Sequence, residues 1–220
     1  MRINHHTLKT RHREERDNYP DNLSLRVHRA LSWLNRAEQE ADPDSRFIFL
    51  WIAFNAAYAT DIDDREGLSE QRTFNAFLEK LHELDGNKRL NDLIWRAYSN
   101  AIRVLLDNPY VFPGFWDYQR DLKTEDQWQD SFASAKRAAN SALAKQDTTR
   151  VLAIVLNRIY TLRNQLLHGG ATWNSSINRD QIRDCVNLMG ELVPAVIEIM
   201  MDSPNTFWGE PSYPVVQGLQ

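Results

Sequence analysis

The sequence has very little cysteine and no long hydrophobic run. Cys185 is the only cysteine among 220 residues, which excludes an internal disulfide and is typical of a protein in a reducing cytoplasm. No apolar stretch approaches the length of about 18 uncharged residues that a membrane-spanning helix needs. The N-terminal segment is polar and lacks the apolar core of a signal peptide. These absences predict a cytoplasmic protein without a membrane partner.

An excess of positive charge is also missing. Lys and Arg total 26 against 30 Asp and Glu, so the net charge is −4 and the isoelectric point is near 5.9. This balance argues against a protein that grips long nucleic acid through a broad basic surface. It permits a local basic site.

Sequence motifs for metals, cofactors and covalent catalysis are absent too. His5 and His6 have no further ligands at zinc-like spacing, and there is no glycine-rich phosphate loop, Gly-x-Ser-x-Gly motif or pair of cysteines. Cys185 shares a helix face with Ile182 and Val186, which predicts a packed core thiol rather than a nucleophile. The sequence therefore predicts neither a metal nor a cofactor.

Helical periodicity runs through most of the chain. Apolar residues recur every three or four positions, and the alternation typical of strands is essentially absent, so the predicted fold class is all-α. Helices are predicted at about residues 21–41, 44–60, 69–84, 88–108, 125–145, 147–168 and 179–202. Residues 1–20 are predicted to form a flexible charged arm, residues 21–202 a single helical domain, and residues 203–220 an irregular tail. Pro194 predicts a kink or break in the last helix near Glu191.

The segment at residues 109–124 combines five aromatic residues with two prolines and a glycine. This composition excludes a long helix and is too apolar for a solvated linker, so it predicts an inserted loop that packs back on the bundle. A functional alternative is a base-stacking platform beside an active site. In that alternative Trp116 stacks on a base, and Arg120 and Lys123 contact phosphates.

A polar cluster marks the end of the helix predicted at 147–168. With a rotation of about 100° per residue, one side of this helix is an apolar stripe, formed by Val151, Val155, Ile159, Leu162 and Leu166. The opposite side carries Asn157, Asn164 and His168 as one polar ridge, with Arg163 at the border. Two consecutive glycines are expected to end the helix. A cation, an amide and a titratable imidazole thus lie together at one helix end, although ordinary capping and solubility residues are an alternative interpretation.

The segment RNQLLHGG at residues 163–170 resembles the RNxxxH signature of HEPN domains. The resemblance extends to FIFLWIAFNAAYA at 47–59 and to the apolar final helix around 182–201. It implies an HEPN-like helical bundle, here with extra helices and the aromatic-rich inserted loop, and a dimer in which two motifs face each other. It also implies that Arg163 and His168 are the catalytic pair of a metal-independent endoribonuclease, with the role of a toxin or an antiviral defence effector.

The motif residues suit this chemistry because RNA supplies its own nucleophile, the 2′-hydroxyl. His168 is expected to accept the proton of that hydroxyl or to protonate the leaving 5′-oxygen, and Arg163 to bind the non-bridging oxygens. Asn164 is a third candidate, as a hydrogen-bond partner of phosphate or imidazole. Residues five apart on a helix point about 140° from each other, so Arg163 and His168 of one chain do not obviously converge. A homodimer with a composite site at its interface is therefore predicted.

Two further asparagines are candidates for supporting this site. Asn55 interrupts an otherwise apolar helix, where a buried amide needs hydrogen-bond partners. It either braces the backbone or a neighbouring helix, or it orients Arg163 or His168. Asn157, on the same ridge as His168, is the second candidate for a supporting role.

Two other functions stay open. A non-catalytic HEPN domain would bind RNA, a nucleotide or a protein partner and would keep the motif as a structural remnant. Alternatively, a regulatory partner holds the nuclease inactive, for example a nucleotidyltransferase antitoxin that modifies a tyrosine near the site. Tyr160 lies one turn before Asn164, but no strong reason selects it.

Overall fold

The all-α fold class predicted from the sequence is confirmed by the computed structural model, which describes residues 3–59, 70–176 and 178–211. The α-helices of these residues are α1 (His5–Glu15), α2 (Asp21–Glu38), α3 (Pro43–Tyr58), α4 (Glu70–Leu84), α5 (Arg89–Asp92), α6 (Ser99–Asp107), α7 (Pro113–Gln119), α8 (Glu125–Ala144), α9 (Thr148–Leu167) and α10 (Arg179–Asp202). Where the sequence predicts one domain, contacts group the chain into two compact units, Met1–Gly86 with Met189–Gln220, and Asn87–Leu188.

The first unit is built around α2 and α3, which pack along each other. α2 buries the stripe that its periodicity predicts, namely Leu23, Val27, Ala30, Leu31, Leu34 and Ala37. α3 begins at Pro43, and the side chain of Asp42 accepts a 2.9 Å hydrogen bond from the N–H of Ser45. On its other side, the ring centroid of Phe54 in α3 lies 6.4 Å from that of Phe77 in α4. This place between two helices explains why α3 is apolar on nearly every side.

A helix, α1, occupies much of the segment for which the sequence predicts a flexible arm. Its residues Leu8 and His12, one turn apart, are buried, and α1 packs on α2. Nη1 of Arg11 pairs with Oδ1 of Asp202 at 2.7 Å. The structure differs from the expectation because only one narrow face of α1 is buried, and because the contacts that order it come from residues distant in sequence.

The segment that follows α10 is irregular, as predicted, and it is held by a buried arginine of α2. Arg26 donates a 3.2 Å hydrogen bond from Nε to the carbonyl oxygen of Gly209 and a 2.7 Å bond from Nη2 to that of Glu210. Its Nη1 also donates to the carbonyl oxygen of Ala59, just after α3, at 2.8 Å. The part of the predicted tail from residue 212 onward lies outside the described residues.

In the second unit, a π-helical turn interrupts the helix that the sequence predicts at 88–108. The N–H of Tyr98 donates to the carbonyl oxygen of Leu93, five residues earlier, at 3.1 Å. The stripe predicted for this helix includes Ala101, Val104 and Leu105; Leu105 is buried, whereas Ala101 is half-buried and Val104 is 61% exposed. The buried residues of α6 are Ile102, Leu105 and Leu106. The turn adds one residue and so rotates the buried face, which brings Ile102 and Leu106 onto it.

The aromatic segment forms a 3₁₀ turn at Pro109–Val111 followed by α7, where the sequence predicts a loop. Pro113 is the first residue of α7, a position at which its fixed φ and missing N–H favour helix initiation. Phe115 and Tyr118 of α7 pack on Trp128 of α8, with ring centroids 5.3 and 6.1 Å apart. The segment therefore packs back on its neighbours as expected, but through a short helix.

The sequence predicts a kink or a break near Glu191; α10 continues through Pro194, so the helix is not broken, and the kink stays a prediction. A proline in a helix interior removes one backbone hydrogen bond and costs about 3 kcal/mol. The residues around it are apolar and buried, namely Leu192, Val193, Ala195 and Val196. Burial of this apolar surface offsets the local cost.

Candidate functional site

The helix that carries the motif, α9, has the predicted amphipathic character. Oδ1 of Asp147 accepts a 3.0 Å hydrogen bond from the N–H of Arg150 and caps the first turn. In the predicted stripe, Leu166 is half-buried, and the other members, Val151, Val155, Ile159 and Leu162, are buried. The stripe fixes the rotation of α9 about its axis and therefore the direction of its polar residues.

The glycines after the motif end α9 as the sequence predicts. The N–H of His168 still donates to the carbonyl oxygen of Asn164 at 3.0 Å. Gly169 then adopts a left-handed conformation with φ of 70°, and the N–H of Gly170 donates to the carbonyl oxygen of Gln165 at 2.7 Å. This pattern is typical of helices that end at glycine. The imidazole of His168 thus extends from the last turn of α9.

The motif side chains remain accessible at this helix end. His168 is exposed, and Arg163 and Asn164 are half-buried. Nη1 of Arg163 donates a 2.8 Å hydrogen bond to Oδ1 of Asn164, and the guanidinium lies 5.5 Å from the ring centroid of Tyr160. The structure thus brings Arg163 and Asn164 into direct contact, whereas His168 lies one turn further along with its ring open to solvent.

Asn55 and Asn157, the two asparagines predicted to support the site, lie in different units. Asn157 is exposed on α9, and its carbonyl oxygen accepts a 3.2 Å hydrogen bond from Oγ1 of Thr161. Asn55 is half-buried in α3, where its carbonyl oxygen accepts a 2.7 Å hydrogen bond from the N–H of Ala59. The role of Asn55 in orienting Arg163 or His168 stays a prediction.

The two cations predicted to contact phosphates are engaged in local ion pairs. Arg120 Nη2 lies 3.1 Å from Oδ1 of Asp117, and Lys123 Nζ lies 2.8 Å from Oδ2 of the same carboxylate. The hydrogen bond from Lys123 is the main cause that lowers the pKa of Asp117. The pairing partner of both cations was missed from the sequence, although it lies only three and six residues before them. Their phosphate contacts stay a prediction.

A cavity of about 270 Å³ lies beside the motif, within the second unit. We call it the motif cavity. Its walls come from the 3₁₀ turn, α7, the end of α9, the segment after Gly170 and the start of α10, and they include Tyr110, Trp116, Gln165, Ala171, Asn178 and Gln181. Trp116 was a sequence candidate, whereas Gln165 was missed. The signal for Gln165 is its spacing, because it precedes His168 by three residues and so shares its helix face.

One backbone carbonyl ties the motif helix to the aromatic segment. The carbonyl oxygen of Tyr110 accepts a 2.6 Å hydrogen bond from Nε2 of Gln165 and a 2.7 Å hydrogen bond from Nε1 of Trp116. These two bonds fix the aromatic side of the motif cavity relative to the end of α9.

Cys185 is a buried core thiol, as predicted. Burial raises the pKa of its thiol well above the usual range, with a smaller contribution from the neighbouring Asp184. Such a thiol is a poor nucleophile at neutral pH.

No group of three or more His, Cys, Asp or Glu side chains within residues 3–59, 70–176 and 178–211 has the arrangement of a metal site. Over the same ranges, no helix has the length and apolar character needed to cross a bilayer. Comparisons with protein-family models, curated proteins and solved structures found no match for this chain.

Proposed function

We propose that this protein is a metal-independent endoribonuclease of the HEPN type that cleaves RNA at a composite site formed by two copies of the chain. The observation that carries the proposal is the accessible end of α9, where a guanidinium, a carboxamide and an exposed imidazole lie within six residues. These groups supply the proton transfers and the positive charge that cleavage by a 2′-hydroxyl requires.

In the proposed reaction, the 2′-oxygen attacks the adjacent phosphorus while the bond from phosphorus to the 5′-oxygen breaks. One His168 imidazole accepts the proton of the 2′-hydroxyl, and the protonated imidazole of the second copy donates a proton to the leaving 5′-oxygen. Arg163 stabilises the charge on the non-bridging oxygens. Its 2.8 Å bond to Asn164 restricts the orientation of the guanidinium. The products are a 2′,3′-cyclic phosphate and a 5′-hydroxyl, and the reaction needs no metal.

Helix geometry and exposed apolar side chains support the dimer. Arg163 and His168 are five residues apart on α9 and so point about 140° from each other, which favours a site completed by a second copy. Apolar side chains around the motif are exposed, with Leu167 at 50% and Trp173 at 70%. Apolar surface next to a polar site is typical of an interface. Sedimentation of the wild-type protein tests this part, and a monomer at concentrations that cleave RNA contradicts it.

The catalytic role of His168 is tested with His168→Ala and a matched control. His82 is also an exposed histidine in the last turn of a helix, α4, so His82→Ala removes an imidazole from a similar environment. With mixed RNA and a chelator, we expect His168→Ala to cleave at least about 10²-fold more slowly, because the substitution removes both the general base and the general acid of the composite site. His82→Ala is expected to match the wild type, and the wild-type products are expected to carry 2′,3′-cyclic phosphates.

The same experiment addresses the alternative of a non-catalytic HEPN domain that binds RNA, a nucleotide or a protein partner. The motif cavity favours this alternative, because a neutral pocket beside an intact motif also suits binding without cleavage. Equal absence of cleavage by the wild type and His168→Ala, on many RNAs, would select it.

Control of the nuclease by an antitoxin or another regulatory protein is compatible with the surroundings of Arg163. Tyr160 is 40% exposed, and the guanidinium of Arg163 lies 5.5 Å from its ring. A nucleotidyl group on this tyrosine would place phosphate charge beside the guanidinium and would compete with RNA. Tyr160→Phe removes the hydroxyl that would carry the nucleotidyl group and keeps the aromatic ring, so it would abolish this control.

A further inference from the structure

The motif cavity has the size and the chemistry of a pocket for one flat heterocycle. Its volume of about 270 Å³ lies near the lower limit of roughly 300 Å³ for small-molecule sites. Two of its lining residues, Tyr110 and Trp116, are aromatic. Aromatic side chains stack on any nucleobase, because every base has a π-face.

The lining of the motif cavity is uncharged. Among the described residues that line it, none is Lys, Arg, His, Asp or Glu. A phosphate or carboxylate is poorly stabilised in such a neutral pocket, since a buried charge needs a charged or strongly hydrogen-bonding partner. The polar groups present are amides and hydroxyls, which match the uncharged donors and acceptors at the edge of a base.

Two amides of the lining carry buried acceptors that lack a partner. Oδ1 of Asn178 and Oε1 of Gln181 have no hydrogen-bond partner among the described residues. A buried acceptor without a donor is costly, so a donor that reaches this wall would stabilise it. The exocyclic amino groups of adenine, cytosine and guanine are donors of this kind.

The motif cavity is also placed correctly for a substrate. Gln165 lines the cavity, and His168 follows it by three residues, so the two side chains are neighbours on α9. The bond from Gln165 Nε2 to the carbonyl oxygen of Tyr110 fixes this wall relative to the aromatic segment. A base held there would keep its own phosphodiester next to the exposed imidazole.

We propose that the motif cavity is a pocket for one unpaired base of the RNA substrate, which positions the adjacent phosphodiester at His168. The inference rests on the proposed ribonuclease function and adds that the substrate is single-stranded at the cleaved linkage. RNA recognition commonly uses such splayed bases, stacked on aromatic side chains and bonded along their edges.

Binding is tested first, in a His168→Ala background that separates it from cleavage. Ala171→Trp fills the cavity, and Thr172→Trp does so from its exposed rim, which provides a second variant if the first does not fold. Ser176→Trp adds the same side chain to the same segment at an exposed position outside the lining and is the matched control. We expect adenosine 3′-monophosphate to bind, with at least tenfold weaker binding to both filling variants and unchanged binding to Ser176→Trp. Ribose 5-phosphate is expected not to bind, and equal binding of both probes would overturn the proposal.

Cleavage is tested next, with an oligonucleotide that contains one cleavable linkage and an abasic residue on either side of it. Removal of the base that occupies the pocket is expected to slow cleavage by the otherwise wild-type protein at least tenfold. In Ala171→Trp the intact oligonucleotide is expected to be cleaved as slowly as the abasic one. Binding of the free nucleotide without any such effect on cleavage would contradict a substrate pocket. If His168→Ala cleaves like the wild type, the proposed nuclease fails, whereas normal cleavage by both filling variants overturns only the pocket.

Discussion

The middle and the end of α9 carry two arginines, five residues apart, in opposite environments. Arg158 is 3% exposed, and its guanidinium lies 4.5 Å from the ring centroid of Phe112. Its Nε has no hydrogen-bond partner within the described ranges, and burial lowers the pKa of Arg158 to about 10. Arg163 is half-buried and contacts Asn164 at the accessible end of the helix. The same residue type thus packs as a core side chain at one position and is partly exposed at the other.

The two histidines of interest repeat this contrast. His12 is 1% exposed in α1, and both of its ring nitrogens are buried. His168 is exposed at the end of α9. Burial, together with the nearby charge of Lys9, lowers the pKa of His12 to about 4. Residue type therefore does not determine the environment of a side chain here, whereas its position relative to the core does.

The largest expected effect is on the rate of RNA cleavage, which should depend on Arg163 and not on Arg158. Arg163→Ala is expected to slow RNA cleavage about 10²- to 10³-fold, because it removes a group that stabilises charge in the transition state. Arg163→Lys keeps the charge but loses the planar fork, so we expect it to recover only part of the rate. Arg158→Met is the matched control and should cleave within about twofold of the wild type, as judged by initial rates. Equal losses in Arg163→Ala and Arg158→Met would show that the accessible end has no special role.

The next effect concerns the buried histidine. The pKa of His12 is about 6.5 in the unfolded state and about 4 in the folded state, so His12 is neutral in both states well above pH 6.5. As the pH falls from 6.5 to about 4, the unfolded state binds a proton and the folded state does not. The free energy of unfolding therefore decreases over this window, by up to about 3 kcal/mol. Urea titrations at pH 7 and pH 5 measure about 2 kcal/mol of this change, and His12→Leu removes this contribution while leaving that of the other groups. Identical pH dependence in His12→Leu and the wild type would contradict the assigned environment.

Periodicity predicted those elements whose burial follows one regular stripe. It was sufficient for α2 and α9, where the predicted stripes are largely buried. It was only partly right beyond Leu93, because a π turn adds one residue: Ile94 and Leu105 are buried as predicted, but Val104 is exposed. Such a turn depends on contacts that no local pattern reports. One of these is the 2.9 Å bond from Nε1 of Trp95 to Oγ1 of Thr148. α1 was missed for a similar reason, since much of its stabilisation comes from tertiary contacts.

The motif was predictable from the sequence because Arg163, Asn164 and His168 are close together on one helix. The motif cavity was not, because its walls come from separate segments. Tyr110 and Gln165, which are joined by a 2.6 Å hydrogen bond, are 55 residues apart. Burial of Arg158 was predictable in principle, since a rotation of about 100° per residue places it about 20° from Val151, at the edge of the apolar stripe of α9.

A smaller expected effect is on the free energy of unfolding when the buried Arg158 is replaced. Arg158→Ala removes the aliphatic stem and the stacking on Phe112, and we expect the free energy of unfolding to fall by about 2 kcal/mol. Arg158→Met keeps most of the volume and removes a charge without a carboxylate partner in the described residues, so it should stay within about 1 kcal/mol of the wild type. Chemical denaturation measures both values. A loss as large in Met as in Ala would indicate that the charge itself stabilises this position.

The smallest expected effect concerns the accessible end of α9. Gly169 adopts a φ of 70° and a Cβ there would meet nothing within 4 Å, so Gly169→Ala introduces backbone strain without a clash. We expect the free energy of unfolding to fall by about 1 kcal/mol. Gly86→Ala is the control, because that site also has open space but lacks a positive φ, and the substitution there should be neutral or slightly stabilising. Equal thermal midpoints for the two variants would mean that the left-handed conformation at Gly169 does not hold the helix end, and with it His168, in place.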